Sequence, residues 1–293
     1  MPSLKEIKGR IASVQSTLKI TSAMKLVASA KLRKAQQAIE SMRPYEAGLQ
    51  RMYRNLVASL PEGAFDDGRK AEEGDGTPAK EEERVAIVAM ASNSSLCGGF
   101  NANAIAKVKE VLADYPGATV WSIGRRMADA MRKAGYPSPE DFTALSEHPS
   151  YEGAARLAES LQKDFEDGKY TRIYLVYNHF VSSAKQVPTV ESFLPRTVSD
   201  PVAVPSAPVT DYIVEPSARE LLEALYPKTV KLQLYTALLD SAAAEHAART
   251  VAMQTATDNG EDLLSALTLQ YNKSRQGKIT SEILDLAGGS ADR

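Results

Sequence analysis

Residues 228–286 read KTVKLQLYTALLDSAAAEHAARTVAMQTATDNGEDLLSALTLQYNKSRQGKITSEILDL, with no proline after Pro227. The middle is alanine-rich, from Ser241 and Ala242 through Ala247, Ala248, Ala252 and Ala256, and alanine is the strongest helix former. Only Gly260 and Gly277 weaken the pattern. The stretch predicts one helix, spanning roughly 90 Å at about 1.5 Å per residue. A compact globule of this chain length has a radius of gyration of only about 19 Å. The helix overruns any such globule and must be covered by a membrane, a partner helix or another protein. Asp240, Glu245, Arg249, Asp258, Glu261, Asp262, Lys273, Arg275 and Lys278 break every window before the ~18 apolar residues that a membrane span requires. A partner helix is the better cover.

The chain supplies one at its other end. Ser3 with Glu6 three residues on has the spacing of a capping box, and opens a helix over residues 3–42 that continues past Pro44 to about Ser59, bent at the proline. Ile7, Ile11, Val14, Leu18, Thr21, Lys25, Ala28, Leu32, Ala35, Ile39 and Met42 recur at steps of four and three, a heptad seam with Thr21 and Lys25 as polar breaks. The C-terminal stretch carries a matching seam of Val230, Leu234, Ala237, Ser241, Ala244, Ala248 and Val251, then Leu264 and Leu267, then Ile279, Ile283 and Leu286. Small residues at its centre permit close approach. An antiparallel coiled coil of the two terminal helices is expected.

Between them the pattern changes. Residues 61–83 are acidic, with nine Asp/Glu against three Lys/Arg, and rich in Gly and Pro, which predicts a surface loop. Arg84–Ala91 is a continuous apolar run of the kind found in buried parallel strands. A Gly-Gly turn and a helix from Asn101 to about Asp114 follow, then a strand over 118–123, a helix over 124–134, a short strand over 142–145 and a helix over 151–167. Strands follow over 171–180, 185–194 and 212–215, the last two separated by a loop with Pro201, Pro205 and Pro208. Alternating strands and helices imply an open, Rossmann-like α/β sheet with right-handed crossovers. The expected class is therefore α/β: a long antiparallel coiled coil with an inserted α/β domain. Its divisions fall at 1–60, 61–83, 84–216 and 217–293.

Composition narrows the function. The hydrophobic share of 43% is that of an ordinary globular protein. Residues 3–60 hold eleven Lys/Arg against three Asp/Glu, yet these charges flank an apolar seam with few aromatics, so a protein-facing helix fits better than a nucleic-acid interface. One cysteine, Cys97, excludes a disulfide framework within the chain and fits a cytoplasmic setting. The N-terminus shows no apolar signal core and no transit character, so it reads as the mature end.

Candidate chemistry is sparse. The turn Ser94-Ser95-Leu96-Cys97-Gly98-Gly99-Phe100-Asn101 sits where an open α/β sheet holds ligands, and a helix N-terminus there can cradle phosphate. No G-x-G-x-x-G, Walker lysine or suitably spaced acid accompanies it. Cys97 as a nucleophile at that helix start has no obvious base, since His148, His179 and His246 fall in a loop, at a strand end and on the long helix. A structural or contact role suits Cys97 better, and an exposed helical position suits His246. No Cys/His or carboxylate cluster has metal-ligand spacing. No cofactor, metal or active site is expected. Thr257-Asp258-Asn259 and Tyr271-Asn272-Lys273-Ser274-Arg275-Gln276 read by periodicity as a solvated face.

Four stretches carry a resemblance: IKGRIASVQSTLKITSAMKLVASAKLRKAQ at 7–36, RPY at 43–45, LCGGFNAN at 96–103, and AARTVAMQTATDNGEDLLSALTLQYNKSRQGKITSEILDLAGG at 247–289. In order and spacing they resemble the gamma subunit of the bacterial F-type ATP synthase. The resemblance implies a central rotor shaft, one copy per complex, inside a ring of three alpha and three beta subunits. It also implies an α/β foot beside the epsilon subunit on the membrane c-ring, at the cytoplasmic face of the inner membrane. It assigns ring contacts to Met24, Cys97, Arg249, Arg275, Gln276 and Thr280, and no chemistry to the subunit itself. Two departures stand out. Ser92-Asn93-Ser94-Ser95 lacks the family's usual Asp-Arg pair, and hence the charges for an ion pair to beta. Cys97 stands alone, without the cysteine pair of the plant chloroplast form. The competing readings are a non-rotating coiled-coil adaptor with a protein-binding head, and an α/β enzyme with a helical arm and a ligand at the Gly-Gly turn.

Overall fold

A computed structural model describes residues 3–60, 83–195 and 213–289. The elements are α1 (Leu4–Ser59), β1 (Val85–Met90), α2 (Phe100–Asp114), β2 (Thr119–Ile123), α3 (Arg125–Lys133), α4 (Thr143–Glu147), α5 (Tyr151–Glu166), β3 (Arg172–Ser182), β4 (Lys185–Leu194) and α6 (Ala218–Gly289). By its contacts the chain forms two compact units, Met1–Ser29 with Arg249–Arg293, and Ala30–Ala248.

The larger unit holds the sheet, in the order β2-β1-β3-β4. β1 runs parallel to β2 and β3, and β4 returns antiparallel to β3. All six residues of β1 are buried, because helices cover both faces. Ala86, Val88 and Met90 face a core with Leu157 and Leu161 of α5, Tyr53 and Leu56 of α1, and Leu222, Val230 and Leu234 of α6. Val85, Ile87 and Ala89 face the other way, onto Ala104 and Val108 of α2 and Met127 and Met131 of α3. The alternation is the period-two geometry of a strand. Burying a residue such as Ile87 contributes about 1.5–3 kcal/mol.

In the smaller unit the helices pair antiparallel. Thr257 Oγ1 donates to Thr21 Oγ1 at 3.0 Å, Lys25 Nζ donates to Gln254 Oε1 at 2.9 Å, and a Cβ on Gly260 would lie 2.7 Å from Leu18 Cδ2. As one number rises the other falls. The expected α1 seam is visible in burial: Ile7, Thr21, Ala28 and Leu32 are buried, and its other members are half-buried. Ser3 and Glu6 close the capping box, with Ser3 N–H to Glu6 Oε2 at 2.9 Å and Glu6 N–H to Ser3 Oγ at 3.3 Å.

Several sequence expectations are corrected. Residues 142–145 are not a strand: Asp141 Oδ1 accepts the Thr143 N–H at 2.8 Å, and the chain winds into α4. Residues 213–215 carry no strand, while Tyr212 lies outside the described residues. The last helix begins ten residues early, at Ala218, and runs through Pro227. Ser217 Oγ accepts the Glu220 N–H at 3.2 Å, and burial of Leu222, Leu225, Tyr226 and Val230 outweighs the one hydrogen bond the proline removes. The α6 seam also differs. Val251 is 42% exposed, and the buried line runs instead through Met253, Thr257 and Leu267, with Gly260 and Leu264 half-buried. Ile279 and Ile283 are exposed. The acidic loop 61–82, the loop prolines and the Leu286 side chain lie outside the described residues.

Candidate functional site

The turn after β1 is held by its own polar side chains. Ser92 Oγ donates to the Ser94 carbonyl at 2.6 Å. Asn101 Nδ2 donates to the same carbonyl at 3.1 Å and approaches Cys97 Sγ at 3.2 Å. Asn178 of β3 ties in the start of α2 by donating to the Phe100 carbonyl at 3.0 Å. Gly98 adopts φ 56°, a left-handed conformation that glycine takes without steric cost. Leu96 takes φ 66°, which is costly for a residue with a Cβ, and its side chain is 57% exposed.

Cys97 is only 1% exposed and packs with Phe100, Ala244 and Ala248. A thiol so enclosed is no nucleophile for an outside substrate. It fixes the turn, whose exposed part is Ser94, Ser95, Leu96, Gly98 and Gly99. Sequence reading missed Leu96, because a left-handed leucine leaves no mark on composition or periodicity.

The other assigned residues lie in the coiled-coil unit. Met24 and Arg249 are half-buried, whereas Arg275, Gln276 and Thr280 are exposed. Extending the pairing of Leu18 with Gly260 by equal steps sets Leu4, the first residue of α1, opposite Ser274. Beyond that point every residue from Arg275 to Leu284 is exposed, including Ile279 and Ile283 at 46% and 60%. Arg275, Gln276 and Thr280 thus share one uncovered stretch of helix. Of the polar cluster 257–259, Asp258 and Asn259 are exposed, but Thr257 is buried in the Thr21 layer.

The histidines are dispersed. His148 caps the end of α4 and lines a cleft of about 430 Å³ with Glu140, Asp141 and Arg156. His246 is half-buried rather than exposed. His179 Nδ1 meets Asp240 Oδ2 at 2.5 Å. Asp240 also accepts the Phe180 N–H at 3.1 Å through Oδ1. Burial pushes its carboxyl above the usual carboxylate range, against the lowering influence of His179 and the Phe180 N–H. Tyr177 is likewise pushed up, chiefly by burial, beside Glu191. Among the described residues no three His, Cys, Asp or Glu side chains are grouped to hold a metal, and no helix is long and apolar enough to cross a membrane.

These features define a class: a coiled-coil protein with an inserted α/β head, whose exposed special residues lie on a turn and a helix end. A family model described as ATP synthase matches residues 3–291. The ATP synthase gamma chain of Phocaeicola vulgatus is 47% identical over 296 residues, covering 99% of each chain. That of Flavobacterium johnsoniae is 42% identical over 292 residues, covering 99% of this chain and 98% of its own. The chain belongs to the ATP synthase gamma-chain family. Its fold is similar to chains in two cryo-electron microscopy structures of Euglena gracilis mitochondrial ATP synthase. One is from the rotor in rotational state 1 (TM-score 0.60, 19% identity, covering 94% of this chain and 98% of that one). The other is from the OSCP/F1/c-ring assembly in rotational state 3 (TM-score 0.66, 20% identity, covering 98% and 93%).

Proposed function

We propose that this chain is the central rotor shaft of an F-type ATP synthase. It couples ion-driven rotation of the membrane c-ring to successive conformational changes at the beta-subunit catalytic sites. The observation that carries the reading is the uncovered end of α6, where Arg275–Leu284 expose isoleucine and leucine beside charge. A helix of that kind needs a sheath. In this reading three alpha and three beta subunits form the sheath around one copy of the chain. The α/β head, within residues 84–216, stands on the c-ring beside the epsilon subunit. The complex sits at the cytoplasmic face of the bacterial inner membrane, and the chain carries no cofactor or active site of its own.

A shaft can shift a ring subunit only through contacts that differ between the subunit's states. Met24, Arg249, Arg275, Gln276 and Thr280 supply such contacts, and Cys97 supplies them indirectly by holding the Leu96 turn. Arg275 and Gln276 are suited to hydrogen-bond a beta-subunit loop at particular angles, with charge assistance from the guanidinium. Replacing both by alanine is predicted to lower coupled turnover about tenfold, the rate equivalent of ~1.4 kcal/mol, with unfolding of the free chain unchanged. Turnover equal to the parent's would remove the pair from the contact surface.

A further inference from the structure

The β3–β4 hairpin meets α6 through two polar ties on one helix face, while Lys231 Nζ of α6 separately reaches Glu159 Oε1 of α5 at 2.5 Å. Gln233 and Asp240 are two helical turns apart and therefore point the same way. Gln233 Nε2 donates to Glu191 Oε1 at 2.7 Å and to the Ser192 carbonyl at 3.1 Å, both on β4. Tyr177 of β3 donates to the other oxygen of Glu191 at 3.0 Å, so that carboxylate is gripped from a strand and from the helix.

At the second tie, Asp240 takes His179 Nδ1 at 2.5 Å and the Phe180 N–H at 3.1 Å. With Asp240 ionised, its carboxylate accepts and His179 Nδ1 is the donor. β1 pairs with β3 no further than Val176, and beyond it that edge of β3 has no neighbouring strand in the described sheet. Asp240 stands in for the missing strand at Phe180. The Phe180 ring then packs against Cys97, Phe100, Ala244 and Ala248 on one side and Leu32, Ala243 and Ala247 on the other.

We propose that Gln233 and Asp240 are the positioning residues that rivet the β3–β4 hairpin to α6, so that torque entering the head reaches the helix through them. The apolar packing around them resists separation, but smooth methyl surfaces slide and rotate. A hydrogen-bonded carboxylate with two fixed donors holds one angle. Deepening the shaft reading in this way, the proposal rests on it, and the experiment separates the two.

The complex is assembled with its alpha and beta subunits fixed to a surface, and a bead is attached to the head through Lys109→Cys on exposed α2, the Cys97 thiol being buried. With the catalytic sites locked by a non-hydrolysable ATP analogue, thermal variance of the bead angle reports torsional softness. Asp240→Ala is expected to roughly double that variance, having lost charge-assisted bonds about twice as strong as neutral ones. Asp240→Asn, which keeps an acceptor for Phe180, is expected to recover much of the stiffness. Gln233→Ala softens the joint less. The double variant departs from the sum of the singles, as residues of one joint do. Unloaded ATP hydrolysis, which makes no demand on the head, stays at the parent rate. If Asp240→Ala fails to fold, half-exposed His179→Ala removes one donor and is expected to raise the variance on its own. Parent-like variance in every folded variant would overturn the rivet. Failure of the unmodified chain to enter the ring would instead overturn the shaft reading.

Discussion

Strand β1 hides all six of its residues, whereas the helix end from Arg275 to Leu284 hides none of its ten. Both stretches contain large aliphatic side chains. In the strand, Ile87 is covered by α2 and α3 of the same chain; in the helix end, Ile283 is left 60% exposed by the described residues. The first kind of apolar residue folds this protein, and the second is surplus to its folding. In the shaft reading, that surplus is the surface proposed to meet the other subunits.

The contrast is sharpest in truncation to alanine. Ile87→Ala is expected to lower the unfolding free energy of the free chain by about 2–5 kcal/mol, followed by denaturant titration. Ile283→Ala should stay within about 0.5 kcal/mol of the parent, yet reduce the chain's activation of ATP hydrolysis by alpha and beta subunits. If Ile283→Ala cost as much stability as Ile87→Ala, the division between the two regions would collapse.

A buried polar layer inside the coiled coil gives the next effect. Thr257→Val removes the donor to Thr21 and is expected to cost about 1 kcal/mol. Changing both threonines to valine should restore most of it, because no hydroxyl is then left facing a methyl group. Thermal melting of the single and double variants tests this.

Glycines differ between covered and uncovered helix. At Gly277 a new Cβ meets nothing within 4 Å, so Gly277→Ala should gain the full helix-propensity benefit of about 0.8–1 kcal/mol. Hydrogen exchange at the helix-end amides should slow accordingly. At Gly260 the Cβ would press on Leu18 Cδ2 at 2.7 Å, and the gain should be smaller. Equal gains would mean that the coiled coil closes less tightly there.

The smallest effect is electrostatic. Burial raises the Asp240 carboxyl above its unfolded value, so over that interval the folded state binds more protons than the unfolded one. The stability attached to this group is therefore fully present below the ordinary carboxylate range and is lost as pH rises through the raised value. Asp240→Asn removes that dependence. The stability difference between parent and variant should slope with pH across this window, and a flat difference would contradict the raised carboxyl.

Both long helices were legible because their signals are periodic: Ile7, Leu18, Ala28 and Leu32 repeat at heptad steps, and the alanines of 242–256 carry strong propensity. β1 was legible from its unbroken apolar run. α4 was not, since four residues from Phe142 carry no period and the deciding hydrogen bond comes from Asp141. The start of α6 was obscured by Pro227, whose local penalty is overridden by burial that only the folded chain shows. The α6 seam was misread at Val251 because alanine and valine look equally apolar in sequence, while side-chain direction selects Met253. Of the site, the helix-end cluster stood out as polar residues, but the burial of Cys97, the strained Leu96 and the Asp240 joint depend on contacts between segments far apart in the chain.

The most direct test of the shaft role is ATP hydrolysis by purified alpha and beta subunits from the same organism, with and without this chain. The account predicts one copy bound per ring and hydrolysis raised severalfold or more over the two subunits alone. Absence of a stable complex together with unchanged hydrolysis would contradict it.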